Sequence, residues 1–564
     1  MALISLLSLN DDVLFEIFSL LSGREALAVA STSKRAYRFA IYRVFASVEW
    51  TRESNENDGS SEADAFWAYM RAPEPVSQIP RVRHLRHLVL GEFALDDIPS
   101  LCAILFQAPN LRTIDLCLLE HHLDDFIPAL GALHLLEKAC LSCIDPRTIP
   151  ALPAMFSSSK LSSLTLNFGE YYWGLPKDDV DLTALVSFLA SMPNIQTLSI
   201  DIDNVLAVLP NTCRPPKSSR LSLPSVRHLS LLCEPQVLES IVPLCPNLVT
   251  LSLFLYCEDD RPVTFSIAAD DRRPVVLKEL KLSHVKIAED TLRRMGHVHS
   301  LVVGGLGRSL SSSEFHDLPP LLEAVQPFAL HLLTPEPALT EPERTWRPLV
   351  DAARQLRSLE VTVKGHASPA NVHDYLDPLL AALQSSSLVH LTLDFPPAFQ
   401  AWRTAASMAA VDGLREAEVR RVDALLALPP ALARAVPSLR LLALHSCRPE
   451  TTGFDNARER GERMGTRDFP PELAAELAWE DDVERLWGPT SVCVRPALRR
   501  LNELRKEVPR DERWWWIEGE GATRTPVEIW REDGERGREI VRRADFNKSI
   551  DADAQWSEVS AHVP

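Results

Sequence analysis

The sequence predicts an α/β solenoid of short parallel strands and return helices, opened by a three-helix module and closed by a charged, tryptophan-rich segment. Three observations predict it. A short apolar phrase recurs along most of the chain, the first 45 residues carry three sets of helix-cap signals, and the composition changes abruptly after residue 450.

Length and composition bound the answer. A chain of 564 residues would form three or four compact domains unless it is one repeat array with appendages. Apolar residues at 46% and charged residues at 24% require a packed core. Of 85 leucines, 79 precede residue 451, so that core lies in the first four fifths. A net charge of -18 and a pI near 5.4 exclude a broad attraction for nucleic acid or anionic lipid. Ten cysteines without dense fixed spacing fit a reducing compartment better than a secreted disulfide scaffold. No apolar run reaches the ~20 residues that span a bilayer. The apolar start from Ala2 to Leu9 lacks a basic flank and runs into Asp11 and Asp12, unlike a signal peptide. The expected location is the cytosol or nucleus, with neither nucleic acid nor membrane as partner.

The repeated phrase is an apolar residue, two variable ones, an apolar residue, one variable one and another apolar residue. Clear copies end at Leu88/Leu90, Ile114/Leu116, Leu164/Leu166, Leu198/Ile200, Leu229/Leu231, Leu251/Leu253, Leu280/Leu282, Leu359/Val361, Leu391/Leu393 and Leu442/Leu444. Weaker ones read Leu136/Ala139/Leu141, Val298/Leu301/Val303, Val325/Phe328/Leu330 and Leu414/Ala417/Val419. Fourteen starts between Leu85 and Leu439 give a mean period of about 27 residues, within the leucine-rich-repeat range. The last two apolar positions alternate with polar ones, the period of a half-buried strand. Helical patterns such as Leu182 to Met192 fall between phrases, and Pro-Asn or Pro-Ser pairs such as Pro109-Asn110 and Pro437-Ser438 turn the chain back into a strand. Stacked units then bury a common core, with parallel strands on the concave side and helices on the convex side. An α-solenoid or a doubly wound sheet is the alternative; fourteen short, similar strands are too many for one ordinary open sheet.

At the N-terminus, Asn10 stands as N-cap before Asp11 and Asp12, and Val13, Leu14, Ile17, Phe18 and Leu21 form an apolar stripe. Ser22 to Glu25 has capping-box spacing for a second helix through Ala30, and Ser33 caps a third from Lys34 to about Phe45. Three short helices cannot bury enough surface to be robust alone, so an apolar partner face is implied. A plain cap for the solenoid is the alternative.

These residues, with Ala30-Ser31-Thr32-Ser33-Lys34-Arg35 and the closing Tyr42 to Val48, resemble an F-box of the kind found in fungal F-box proteins with leucine-rich repeats. Asn10 stands where that family usually has proline, and Tyr37 near a frequent tryptophan. The resemblance implies that Leu9, Val13, Leu14, Ile17, Phe18, Leu21, Ala30, Ser33 and Lys34 dock on the Skp-family adaptor of a cullin-RING ubiquitin ligase, while the array holds a substrate protein. The other reading is a repeat scaffold or ligand-binding protein that recruits no ligase. The domain plan is then a helical module over 1–50, a linker over 51–80, the array over 81–450 and a partly disordered tail over 451–564.

The tail holds 19 basic and 25 acidic side chains and seven of the twelve tryptophans. Such polarity favours an unpacked chain, but the tryptophans suggest a hairpin pairing Arg513 to Glu518 with Val527 to Arg531. No catalytic set converges, and no cofactor is expected. Cys140-Leu141-Ser142-Cys143 lacks the second pair a zinc site needs, Gly304 to Gly307 reads as a turn, His121-His122 as a solvated loop, and Asn547-Lys548-Ser549 as a sequon in a chain that never meets the transferase. In each strand phrase the variable residues point away from the core. This places Asp115, Asp201, Glu279, Glu360 and Asp394, with Lys281, His87, His228, His390 and His445, on an exposed, mildly acidic groove suited to a basic substrate segment.

Overall fold

The computed structural model describes residues 7, 9–50, 59–75, 78–91, 98–117, 123–157, 160–168, 182–202, 222–255, 262–265, 275–304, 310, 312–335, 342–364, 372–397, 405–450, 470–487, 495–543 and 546. The chain divides into two compact units, residues 1–259 with 264–270, and residues 260–263 with 271–564.

The first unit opens with α1 (Asp11–Ser19), α2 (Gly23–Ala30) and α3 (Lys34–Val44). Leu14, Phe18, Ala26, Ala30, Phe39 and Ala40 form the core between them. The stretch read as the end of the module and a linker is built differently: β1 (Ser47–Trp50) and α4 (Gly59–Arg71) lie there. Trp67 and Met70 are buried, and the Arg81 guanidinium sits 4.1 Å from the Tyr69 ring centre while donating to the Tyr69 and Ala72 carbonyls. Helix α4 therefore packs as part of the unit.

From β1 the chain adds parallel strands in sequence order: β2 (His87–Leu90), β3 (Thr113–Cys117), β4 (Lys138–Ser142), β5 (Ser163–Asn167), β6 (Thr197–Asp201), β7 (His228–Cys233) and β8 (Thr250–Leu255). The register aligns the phrases. Leu88, Ile114, Ala139, Leu164, Leu198, Leu229 and Leu251 make one ladder, and Leu90, Leu116, Leu141, Leu166, Ile200, Leu231 and Leu253 the next. All of them are buried. Return helices α5 (Ile98–Gln107), α6 (Leu123–Gly131), α7 (Leu152–Met155), α8 (Leu182–Ala190) and α9 (Pro235–Ile241) close the repeats. The Pro-Asn turns also tie repeats together: Asn110 Nδ2 donates to the Arg83 carbonyl and Asn247 Nδ2 to the Pro224 carbonyl, both at 2.8 Å.

The second unit continues the pattern with β9 (Val275–Leu282), α10 (Glu289–Arg294), β10 (Met295–Val303), α11 (Ser312–Val325), β11 (Ala329–Pro335), α12 (Pro342–Ala352), β12 (Ser358–Lys364), α13 (Val372–Leu383), β13 (His390–Asp394), α14 (Met408–Ala435) and β14 (Leu441–His445). Strands β9 to β14 pair in parallel. Two weak phrases need correction. Leu301 faces Leu330 and Val303 faces Leu332, so the phrase at β11 lies two residues later than Val325/Phe328/Leu330. Gln326 takes a left-handed φ of 42° and ends α11, which pushes the strand on. Leu414/Ala417/Val419 is no strand at all but lies inside α14. Ser407 caps that helix by accepting from the Ala410 N–H, and its buried positions Val411, Arg415, Glu418, Val422 and Leu425 recur at three- and four-residue steps.

The tail supplies α15 (Pro471–Trp487), α16 (Pro496–Glu507), β15 (Arg513–Glu518), β16 (Thr525–Ile529) and α17 (Arg531–Arg542). The tryptophan hairpin forms, with β16 starting two residues earlier than read, and β15 also pairs antiparallel with β14.

Candidate functional site

The N-terminal module is one candidate surface. Asn10 makes no side-chain cap bond, so α1 is capped less well than its sequence suggests, and Asp11 and Asp12 favour its start by charge alone. The capping box of α2 is complete. Ser22 Oγ accepts from the Glu25 N–H at 3.3 Å, and the Ser22 N–H donates to Glu25 Oε2 at 2.8 Å. That backbone bond, then the Ser22 hydroxyl, holds the Glu25 carboxyl below its usual range. Ser33 Oγ accepts from the Ala36 N–H to cap α3. Arg43 Nε donates to the Leu21 carbonyl at 2.7 Å, and Arg35 reaches both the Leu9 carbonyl and Asp11, which sets α3 against α1.

This packing divides the apolar stripe. Leu14, Phe18 and Ala30 point inward and fill the module's own core. Leu9, Ile17, Leu21 and Ser33 are half-buried, while Val13 and Lys34 are exposed. Apolar surface that stripe reading passed over is open instead: Phe15, Leu27 and Leu20, the last 83% exposed. Phe15 meets Phe39 edge to face at 4.9 Å. An i, i+4 reading that placed Leu14 and Phe18 inward would have turned Phe15 outward.

The strand face is the second candidate surface. Its acidic residues divide between the two units. Asp115 and Asp201 lie on β3 and β6 of the first unit, each half-buried. In the second unit Glu279 pairs with Lys281 at 3.3 Å, and Asp394 accepts from Ser446 Oγ at 2.7 Å. Glu360 is only 13% exposed, because Arg542 and Arg538 of α17 reach it at 2.5 and 3.5 Å. The exposed groove expected at Glu360 and His390 is therefore covered, since α17 lies over that part of the face.

His390 is fully buried there. Its Nδ1 is bonded to Ser358 Oγ at 2.7 Å and its Nε2 to Thr392 Oγ1 at 2.9 Å, and its ring stacks on Trp514 at 6.1 Å. Burial, with Arg542, Arg538 and His445 adding to it, holds its pKa well below the usual imidazole value. His445 lies 3.4 Å from Glu512, His228 is bonded to Thr250 at 2.9 Å, and burial lowers the His87 pKa with help from nearby arginines.

The remaining sequence features have structural settings. Cys143 Sγ lies 3.6 Å from Cys117 Sγ on the neighbouring repeat, and burial pushes the Cys140 thiol up to about 11. Gly304 has φ 93°, and a Cβ there would fall 2.7 Å from that of Leu333, so glycine is required at this turn. His121-His122, Gly305 to Gly307 and Asn547 to Ser549 lie outside the described residues. Among the described residues, no helix is long and apolar enough to cross a membrane.

Residues 6–44 match the family model of the F-box domain. No curated protein matches the chain. Among solved structures, the chain is similar to the leucine-rich repeat-containing protein LegL7 from Legionella pneumophila, at 12% identity over 66% of this chain and 89% of that one, with a TM-score of 0.28. It is also similar to the protein in a TLR13-ssRNA13 complex, at 13% identity over 65% of this chain and 40% of that one, with a TM-score of 0.24. The architecture is thus an F-box domain followed by a parallel sheet built of leucine-rich-repeat-like units.

Proposed function

We propose that the chain is a substrate-recognition subunit of a Skp-cullin-F-box ubiquitin ligase: its N-terminal helices dock a Skp-family adaptor and its repeats bind a substrate protein. The observation that carries this reading is the F-box match over residues 6–44, on three helices that leave Val13, Phe15, Leu20 and Leu27 exposed. Apolar side chains on a small helical module suit a partner that buries them by close packing. The role is non-catalytic, because an F-box joined to a repeat array brings two proteins together and leaves chemistry to the ligase.

Co-purification of the full-length chain with a Skp-family adaptor and a cullin tests it. Leu20→Asp with Leu27→Asp should abolish capture while leaving thermal unfolding unchanged, since both side chains are exposed. Full capture by that variant, or none by the wild type, would overturn the reading.

A further inference from the structure

Over β12, the strand face of the second unit is covered by the chain's own tail. Glu360 Oε1 accepts from Arg542 Nη2 at 2.5 Å and Arg538 Nη1 at 3.5 Å, and Arg542 Nε reaches Ser358 Oγ at 3.4 Å. The two arginines stand one helical turn apart on α17, so one carboxylate reads both.

Alone, α17 would be a marginal helix. It has two interior glycines, and Ile540 and Val541 are its only aliphatic side chains. The glycines explain why it forms here: a Cβ at Gly534 would fall 2.3 Å from the Trp514 ring, and one at Gly537 would lie 3.3 Å from Leu441. Docking is thus tight at the glycines, and beside Glu360 and Ser358 it is held by Glu512, which pairs with Arg531 at 3.2 Å, and by Arg357, which donates to the Arg543 and Phe546 carbonyls. Burial lowers the Arg542 pKa more than Glu360 raises it, so desolvation offsets part of the attraction. An element whose helix depends on docking, and whose central charges are partly desolvated, is one that a partner presenting the same charges can compete with.

We propose that the strand face over β12 to β14 is the docking surface for a partner-protein segment carrying two arginines one helical turn apart, and that α17 occupies it as a built-in competitor. The proposal rests on the reading of the repeats as the substrate-binding part, and gives that substrate a chemistry. Charge complementarity chooses this occupant: Glu360 is the β12 carboxylate that both arginines reach, Ser358 offers an acceptor beside it, and Trp514 offers a ring 5.7 Å from the Arg538 guanidinium.

The test uses the full-length chain and, as probe, a fluorescent peptide of residues 531–543. Arg538→Ala with Arg542→Ala releases α17 by charge, and Gly534→Leu releases it by crowding the Trp514 ring, so either variant serves if the other folds poorly. Amides 532–542 should be protected from hydrogen exchange in the wild type and unprotected in both. A tethered competitor acts at roughly millimolar effective concentration, so the probe should bind both released chains at least about tenfold tighter than the wild type. Adding Glu360→Gln should remove that gain. Equal probe affinity in wild-type and released chains, or undiminished affinity with Glu360→Gln, would overturn the proposal. Loss of adaptor capture with these probe results intact would count against the ligase reading alone; the converse would count against this surface alone.

Discussion

Arg421 is the most informative single perturbation of the array. It is buried on α14, its guanidinium meets both oxygens of Glu418 at 2.8 and 2.7 Å, and it donates to the carbonyls of Phe395 and Ser446 at 2.7 and 2.6 Å. Those carbonyls follow β13 and β14, so one side chain ties the ends of two adjacent strands to the helix between them. Arg421→Met leaves the buried Glu418 carboxylate with the Glu450 N–H as its remaining donor among the described residues. Removing one member of a buried pair costs about 3–5 kcal/mol, mostly through the charge left behind. Glu418→Gln added to Arg421→Met removes that charge, so the double variant should recover roughly 2 kcal/mol of the loss. Urea unfolding measures the totals, and hydrogen exchange locates them. In a repeat array the damage should stay local, with faster exchange over residues 390–397 and 441–448 and none over β2 to β5. A cost below about 1 kcal/mol for Arg421→Met, or no recovery in the double variant, would refute the view that the pair holds these strand ends by charge.

Two further outcomes follow from the burial pattern. Leu14 is fully buried, so Leu14→Ala should cost about 2–5 kcal/mol and remove hydrogen-exchange protection over residues 11–44, whereas Leu20→Ala should change stability by no more than about 0.5 kcal/mol. His390 has a folded-state pKa well below 6.5, so below that pH the unfolded chain binds a proton that the native state refuses. Stability should then rise with pH through this window and fall on acidification by up to about 1.4 kcal/mol per pH unit; urea midpoints between pH 5 and 7 for the wild type and His390→Gln should differ in slope by one proton, and equal slopes would count against it.

Much of the array was legible because its signal is local and repeated. A leucine at the second or third apolar position of a phrase must enter the shared core, and the same two positions then align from strand to strand. The misreadings occur where two patterns overlap. Residues 325–332 contain two phrases offset by two, and the end of α11 at Gln326 selects the later one. Residues 414–419 satisfy strand spacing and helix spacing at once, and only the longer run through α14 separates them. Candidate surfaces were harder to read because they depend on which neighbour covers a face. Glu360 and His390 alternate outward from their strands, as their positions require, but the α17 arginine on Glu360 comes 182 residues later and no period announces its docking. Gly534 and Gly537 look like helix breakers in sequence; against the Trp514 ring Gly534 is what permits contact, and Gly537 gives Leu441 room.

The composition change after residue 450 has a physical reason that runs through the last strands. The leucines of a repeat stay covered only while another repeat stacks beyond it, and the end of an array needs a polar outer surface. β14 still presents Leu441 and Ala443 on the outward face, and these pack with Trp514 and Trp516. β15 turns the sheet antiparallel at that point. Beyond it β16 is the last described strand, and Pro526 removes one backbone donor from its ladder while Glu528 pairs with Arg513 at 2.5 Å. Proline and charge are the features that keep an edge from pairing with another chain. The tryptophans thus cover the last apolar surface of the array, and the charges end the sheet. The same need for a covered face leaves α17 against Trp514 and Leu441, which is why the arginines that reach Glu360 lie where the leucines stop.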